Sequence, residues 1–204
     1  MKYFKSLILL IVIVLTFGVM AACQKIYKDN PEKILTNLKE IKRYQCGVIY
    51  KFKNARGEIT IDTEQYYDRD LGVRVEFEQD RVQIYKGEKI YVTENKSNRK
   101  YEIEKDFDEL YSYAFVDKIS KLFINDEEFK YYNEEKEGVN NLIVEFNTLS
   151  SNKNIAKEVL YIDKANGNPI KAIFYDERGD ERGEITYKNF IKPKNMDKKL
   201  FDIN

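Results

Sequence analysis

The sequence predicts an α+β domain, one antiparallel sheet built as a meander with amphipathic helices packed on it, preceded by an export signal. Three observations predict it. Apolar and polar side chains alternate with period two in runs from residue 44 onward, with hairpin-sized gaps between the runs. The chain holds 16 Tyr and 12 Phe but no Trp, and aromatic side chains suit a pleated surface. Two segments, 31–43 and 107–123, instead repeat their apolar residues at helical spacing.

The first element is the signal. Lys2 and Lys5 supply a short positive region, and residues 7–19 are almost uninterrupted aliphatic chain. The stretch closes as Met20-Ala21-Ala22-Cys23. This is the three-part layout of an export signal. Its last four residues resemble the lipobox of bacterial lipoproteins, with Met20 where Leu, Val or Ile is usual. Ala21 and Ala22 fit a tight peptidase cleft, and Cys23 offers the thiol that takes diacylglycerol. Two acyl chains hold a protein stably at a membrane, since each buried methylene contributes ~0.8 kcal/mol. The expected division is therefore a signal peptide at 1–22, lipidated Cys23 with a tether to residue 30, and one domain over 31–204. The alternatives are an uncleaved anchor, though the stretch is shorter than the ~20 residues of a comfortable span, and ordinary secretion. Positive charges stay on the cytoplasmic side, so either membrane-bound form places the rest of the chain outside.

Asn30 is suited to cap the first helix and Pro31 to open it. Ile34, Leu35, Leu38 and Ile41 form its apolar stripe, and the helix is expected to reach about Arg43. Tyr44, Cys46, Val48, Tyr50 and Phe52 then alternate along a first strand. Residues 54–57 turn the chain into a return strand ending at Tyr66 and Tyr67, and 68–72 turn it again. Val73, Val75 and Phe77 mark the next strand, followed by short strands at 82–85, 89–93 and around Tyr101 and Ile103. A second helix is expected from Phe107 through Phe123, with Asp106 and Glu109 in a capping box. Residues 126–140 are strongly charged and read as a short helix or a strand with a loop. Strands at 141–148, 157–163, 169–176 and 184–190 complete the sheet. Met196, Leu200, Phe201 and Ile203 are expected to pin the polar tail back onto the domain.

Charge and composition exclude several function classes. Lys+Arg and Asp+Glu are both 35, and without the signal's two lysines the balance is 33 against 35. Both signs are interspersed, whereas a nucleic-acid footprint needs clustered basic residues. The absence of histidine excludes Ser-His-Asp and Cys-His catalysis and His-ligated zinc. Cys46 lies in an alternating apolar segment and reads as a small buried hydrophobe. Asp62 and Glu64, with Glu58 nearby, are candidates for a sugar-hydrolysing carboxylate pair, but alternate positions on a hairpin strand read as a solvated face. The acidic turn from Asp176 to Glu181 offers calcium-type oxygens, which Arg178 and Arg182 oppose. Ser112, Ser150 and Ser151 sit in no nucleophile motif. The sequence gives no positive sign of an enzyme, a cofactor or a metal.

The ordered pattern resembles a known group. It joins the lipobox, the capped helix Asn30-Pro31-Glu32-Lys33-Ile34-Leu35, Tyr44-Gln45-Cys46 and Gln65-Tyr66-Tyr67-Asp68. Leu71-Gly72-Val73-Arg74-Val75-Glu76-Phe77, Ile84-Tyr85-Lys86 and Lys105-Asp106-Phe107-Asp108-Glu109-Leu110 follow, then Val159-Leu160-Tyr161-Ile162-Asp163, Ile173-Phe174-Tyr175-Asp176 and Tyr187-Lys188-Asn189-Phe190. Together they resemble the clostridial germination lipoproteins of the GerS type, a group similar in fold to the lipoprotein carriers LolA and LolB. The resemblance implies a curved antiparallel sheet, an unclosed LolA-like half-barrel with helices packed on its concave face, at the outer face of the cell or forespore membrane. It implies a non-catalytic role in sporulation and germination, with a cell-wall amidase of the spore cortex as partner. The other role it implies is binding of lipid or another apolar ligand in the half-barrel. An open apolar cavity would favour the ligand; a cavity filled by Phe115, Ile119 and Phe123 would favour the protein partner. Cys23 is the one site residue the resemblance carries over.

Overall fold

The computed structural model describes residues 30–54, 57–78, 80–125, 129–136, 138–148 and 152–203. The export segment, Cys23, most of the tether, Ser150 and Ser151 lie outside the described residues. Among the described residues no helix is long and apolar enough to cross a membrane.

Helix α1 (Pro31–Lys39) opens as its sequence dictates. The Asn30 side chain accepts a hydrogen bond from the Lys33 amide at 3.0 Å, with Pro31 in the first turn. Ile34, Leu35 and Leu38 are buried on one face. The helix stops short of the expected Arg43, because Arg43 already pairs with Asp68 in the sheet. The Arg69 guanidinium donates to the carbonyls of Lys39 and Ile41, both at 3.0 Å, and so caps the end of α1.

Among the described residues eleven strands follow: β1 (Arg43–Asn54), β2 (Gly57–Asp68), β3 (Gly72–Phe77), β4 (Arg81–Lys86), β5 (Lys89–Glu94), β6 (Arg99–Glu104), β7 (Lys130–Lys136), β8 (Val139–Asn147), β9 (Lys157–Asp163), β10 (Asn168–Tyr175) and β11 (Glu181–Ile191). They make one antiparallel sheet in the order β6-β5-β4-β3-β2-β1-β11-β10-β9-β8-β7. Its end strands β6 and β7 are not paired to each other, so the curved sheet stays unclosed. Their sequences, RKYEIE and KYYNEEK, are charged, which discourages a further strand from adding at either edge. The charged stretch left open between helix and strand is thus a strand over Lys130–Lys136.

Register puts the core-facing apolar set of the central strands on one face, while Ile84, Ile143, Val159 and Ile173 are buried on the other. Tyr44, Cys46, Val48 and Tyr50 of β1 stand opposite Tyr67, Gln65, Thr63 and Ile61 of β2. Val48 and Tyr50 stand opposite Tyr187 and Ile185 of β11. This face carries one continuous core cluster, shared with α1 and with residues 111–119. Towards one end of it Gly183 lies across from both Phe52 and Phe174. A Cβ on Gly183 would come within 2.4 Å of the Phe52 ring, so only glycine lets the chains approach there.

The second helical segment is not one helix. A 3-10 turn (Lys105–Asp108) leads into a single turn, α2 (Glu109–Ser112), and after a break α3 runs over Val116–Asn125. Asp106 lies inside the 3-10 turn, so it does not open a helix as a cap, and Phe107 is 83% exposed rather than part of an apolar stripe. The physical reason is the run Tyr111–Val116, six consecutive buried residues. A regular helix turns about 100° per residue and cannot aim six neighbours at one surface.

The tail crosses the convex face. Arg43 donates to the Lys194 carbonyl at 3.1 Å, and Arg74 to that of Leu200 at 2.9 Å. Phe201, in a closing 3-10 turn (Lys198–Phe201), is buried, whereas Ile203 is not. The expected pinning is made by Phe201 and by backbone carbonyls.

Candidate functional site

The concave side is built by tyrosines. Tyr44 and Tyr50 alternate inward on β1, and Tyr187 does so on β11. Their hydroxyls meet the break between α2 and α3. Tyr50 donates to the Tyr111 carbonyl at 2.9 Å, and Tyr187 to the Ala114 carbonyl at 3.0 Å. Tyr44 accepts from the Val116 amide at 3.4 Å. Gln65 donates to Tyr50 at 2.7 Å and accepts from Tyr44 at 3.5 Å, tying two of the three together. Burial pushes all three phenols well above their ordinary pKa, so they stay neutral and able to donate. Polar groups freed by the break are therefore satisfied inside the core.

This packing fills the centre of the half-barrel. Phe115 and Ile119 are 4% and 1% exposed, and the Tyr85 and Phe115 rings meet edge to face at 4.8 Å. The side chain of Phe123, expected to join them, lies outside the described residues. A groove of about 690 Å³ remains at one end, between the end of α1, α3 and the β3–β4 hairpin. Tyr67, Val73, Tyr85 and Phe115 form its floor, and Lys39, Arg69, Lys105, Lys118 and Lys121 lie around it with Asp106 and Asp117. Gly72 lets the start of β3 lie close against the end of β4 at this groove. Its φ is +113°, and a Cβ would fall 2.2 Å from the Tyr85 carbonyl oxygen.

The other candidates are dispersed. Asp62 and Glu64 stand on the convex face of β2, open to solvent, with Glu58 exposed nearer the hairpin. Partial burial, then the charges of Asp62 and Glu76, raise the Glu64 carboxyl. Asp176 is consumed by its own turn. It accepts from the amides of Arg178 and Asp180, both at 2.9 Å, and from the Arg182 guanidinium, with Nε at 2.7 Å. Burial alone would raise its pKa, but Arg182 and the two amides outweigh that and hold it below the usual range. Ser112 is buried and accepts from the Lys118 ammonium at 2.7 Å. Cys46 is buried in the core, and burial followed by the Glu64 charge pushes its thiol up, away from nucleophilic use. Among the described residues no acidic or cysteine cluster is arranged to hold a metal.

One buried acid escaped the sequence reading. Glu158 on β9 is fully buried on the core face, opposite Phe146 and Phe174, and neither carboxyl oxygen has a hydrogen-bond partner among the described residues. Its only sequence signal is phase: it alternates in step with the buried Leu160 and Ile162.

Sheet, helix break and groove define a class of protein: an unclosed curved sheet that wraps its own helices and leaves a charged groove at the end. The chain belongs to the family described as Sporulation protein YdcC-like, whose sequence model matches residues 4–201. No curated protein matches the sequence. Among solved structures, an uncharacterized conserved protein from Thermus thermophilus shares the fold, with a TM-score of 0.55 at 13% identity over 83% of this chain and 91% of that one. The LolA superfamily protein NE2245 from Nitrosomonas europaea is similar at a TM-score of 0.43 and 15% identity, over 84% of this chain and 96% of that one. A chain from the complex of the CwlD amidase of Clostridioides difficile with the GerS lipoprotein is similar at a TM-score of 0.43 and 20% identity, over 83% and 96%.

Proposed function

We propose that the protein is an extracytoplasmic lipoprotein, tethered through Cys23, that serves sporulation by binding and supporting a cell-wall amidase of the spore cortex without catalysing a reaction itself. Membership of a sporulation family supports the setting. The lipobox supports the tether, and the ordered resemblance to germination lipoproteins supports the class of partner. The observation that carries the choice between partner and lipid is the filled half-barrel: Phe115 and Ile119 occupy its centre, and three tyrosines pin the helix break there. A lipid carrier needs that space open. The tether confines the domain to a thin layer beside the membrane, which raises its effective concentration for a partner in the same layer.

Labelled fatty acid is expected to enter the wild-type protein and not Cys23→Ala, and equal labelling would remove the tether. The cortex amidase of the same cells is expected to co-purify with the protein, and spores of a deletion strain to lack normal cortex modification and germination. Normal spores from that strain would remove the germination role. Purified protein that hydrolyses peptidoglycan alone would overturn the non-catalytic reading. Stoichiometric co-purification of lipid would move the assignment to a carrier.

A further inference from the structure

We propose that the groove at the end of the half-barrel is the docking site for an acidic, aromatic-bearing segment of a protein partner. The inference rests on the partner-binding reading and names the surface it uses. Charge is the first argument. The whole chain is formally neutral, yet five basic residues line the groove against two acidic ones. The charge is only partly cancelled on the spot. Lys121 faces Asp117 at 3.4 Å, but Lys105 and Arg69 give their hydrogen bonds to carbonyl oxygens, which leaves their charge in place. A cleft of one sign with apolar walls concentrates ligands of the opposite sign and speeds their arrival.

The floor decides what kind of anion fits. Tyr67, Val73, Tyr85 and Phe115 present closely packed apolar surface, each no more than 6% exposed. An acyl chain would need a slot running on into the core, and the packed rings of Tyr85 and Phe115 close that route. An inorganic anion would leave the apolar floor unused. A peptide that carries carboxylates beside an aromatic or branched side chain uses both: carboxylates at the lysine rim, the apolar group on the floor. The volume suits a few residues, since sites for compact ligands span ~300–1,000 Å³.

The test uses the full chain in detergent and a fluorescein-labelled octapeptide of alternating Glu and Phe. Saturable binding that weakens with salt is expected, and Lys105→Glu with Lys121→Glu is expected to weaken it about tenfold, the loss of two modest ion-pair contributions. Lys188→Glu, on the convex face, is expected to change nothing. Lys105→Gln with Lys121→Gln provides a milder variant should the reversal unfold the domain, and it is expected to move affinity the same way. Unchanged affinity in both double variants would overturn the site, as would equal binding of the Lys-for-Glu peptide. Displacement of the peptide by phosphatidylglycerol vesicles or by inorganic phosphate would reassign the groove to a lipid headgroup or a free anion and overturn it too. Amidase captured equally by wild type and the Lys105→Glu/Lys121→Glu variant would sink the groove while sparing the amidase. Peptide binding with these variant effects, but no amidase capture, would keep the groove and sink the amidase.

Discussion

Glu158 shows how a single side chain sets a pH dependence for the whole fold. It has no exposed surface, and both its oxygens lack hydrogen-bond partners among the described residues. Burial drives its pKa well above the ordinary carboxyl value, and the charge of Lys118 offsets only part of that. The folded state therefore holds a proton that the unfolded chain gives up near pH ~4.3. Between those two values the unfolded state binds fewer protons, so stability falls as pH rises. Glu158→Gln removes this titration. Urea unfolding at pH 5 and pH 8 is expected to show the wild type losing stability over that interval relative to the variant. Parallel losses in the two proteins would show that Glu158 is charged or solvated in the fold. The sequence carried half of this: its phase marked position 158 as inward, while its charge pointed outward at the start of a strand. Cys46 was easier, because a small apolar side chain in an inward phase meets no conflict.

At the scale of elements, period-two alternation located the strands well, because strands such as β1, β2 and β3 bury one face and any slip would turn their core-facing set outward. The broken helix was not legible, and the cause is tertiary. Apolar spacing from Phe107 to Phe123 fits a helix, but the hydroxyls that stabilise the break come from β1 and β11, far away in sequence. The clue within the segment is Tyr111–Val116, a buried run too dense for one helical face. Tyr50→Phe and Tyr187→Phe each keep the ring: the second removes the hydroxyl donor to the Ala114 carbonyl, and the first removes one of two donors to the Tyr111 carbonyl, the other being the Ala114 amide at 3.2 Å, together with the acceptor of the buried Gln65 amide. Each is expected to cost about 1–2 kcal/mol in urea unfolding. Because both act on the same short segment, the double variant is expected to cost less than the sum of the two. No measurable cost in either single variant would show that the break stands without them. The groove lay beyond sequence reading for a similar reason: Lys39, Arg69, Lys105 and Lys121 come from separate stretches that only the fold assembles.

For the molecule as a whole, the sheet is covered on its concave side by helices and on part of its convex side by the tail. Phe201→Ala removes a ring that is 2% exposed, and about 3 kcal/mol of stability is expected to go with it, read as a lower urea midpoint at unchanged slope. A shift within error would mean that the tail holds through Arg43 and Arg74 alone. Architecture followed from the hairpin spacing, but the joining of the two halves did not. All other strand pairs are sequence neighbours; β1 and β11 are not, and residue 48 meets residue 187 across that seam. The seam has a consequence for biogenesis. A chain threaded through a membrane amino end first delivers β1 early and β11 almost last. Until then β1, the strand carrying Tyr44, Val48 and Tyr50, has a bare edge toward its missing neighbour. Distant pairings form slowly because the intervening loop must close first. The newborn domain thus passes through an interval with a sticky central strand uncovered, and shortening the chain before residue 181 would make that interval permanent.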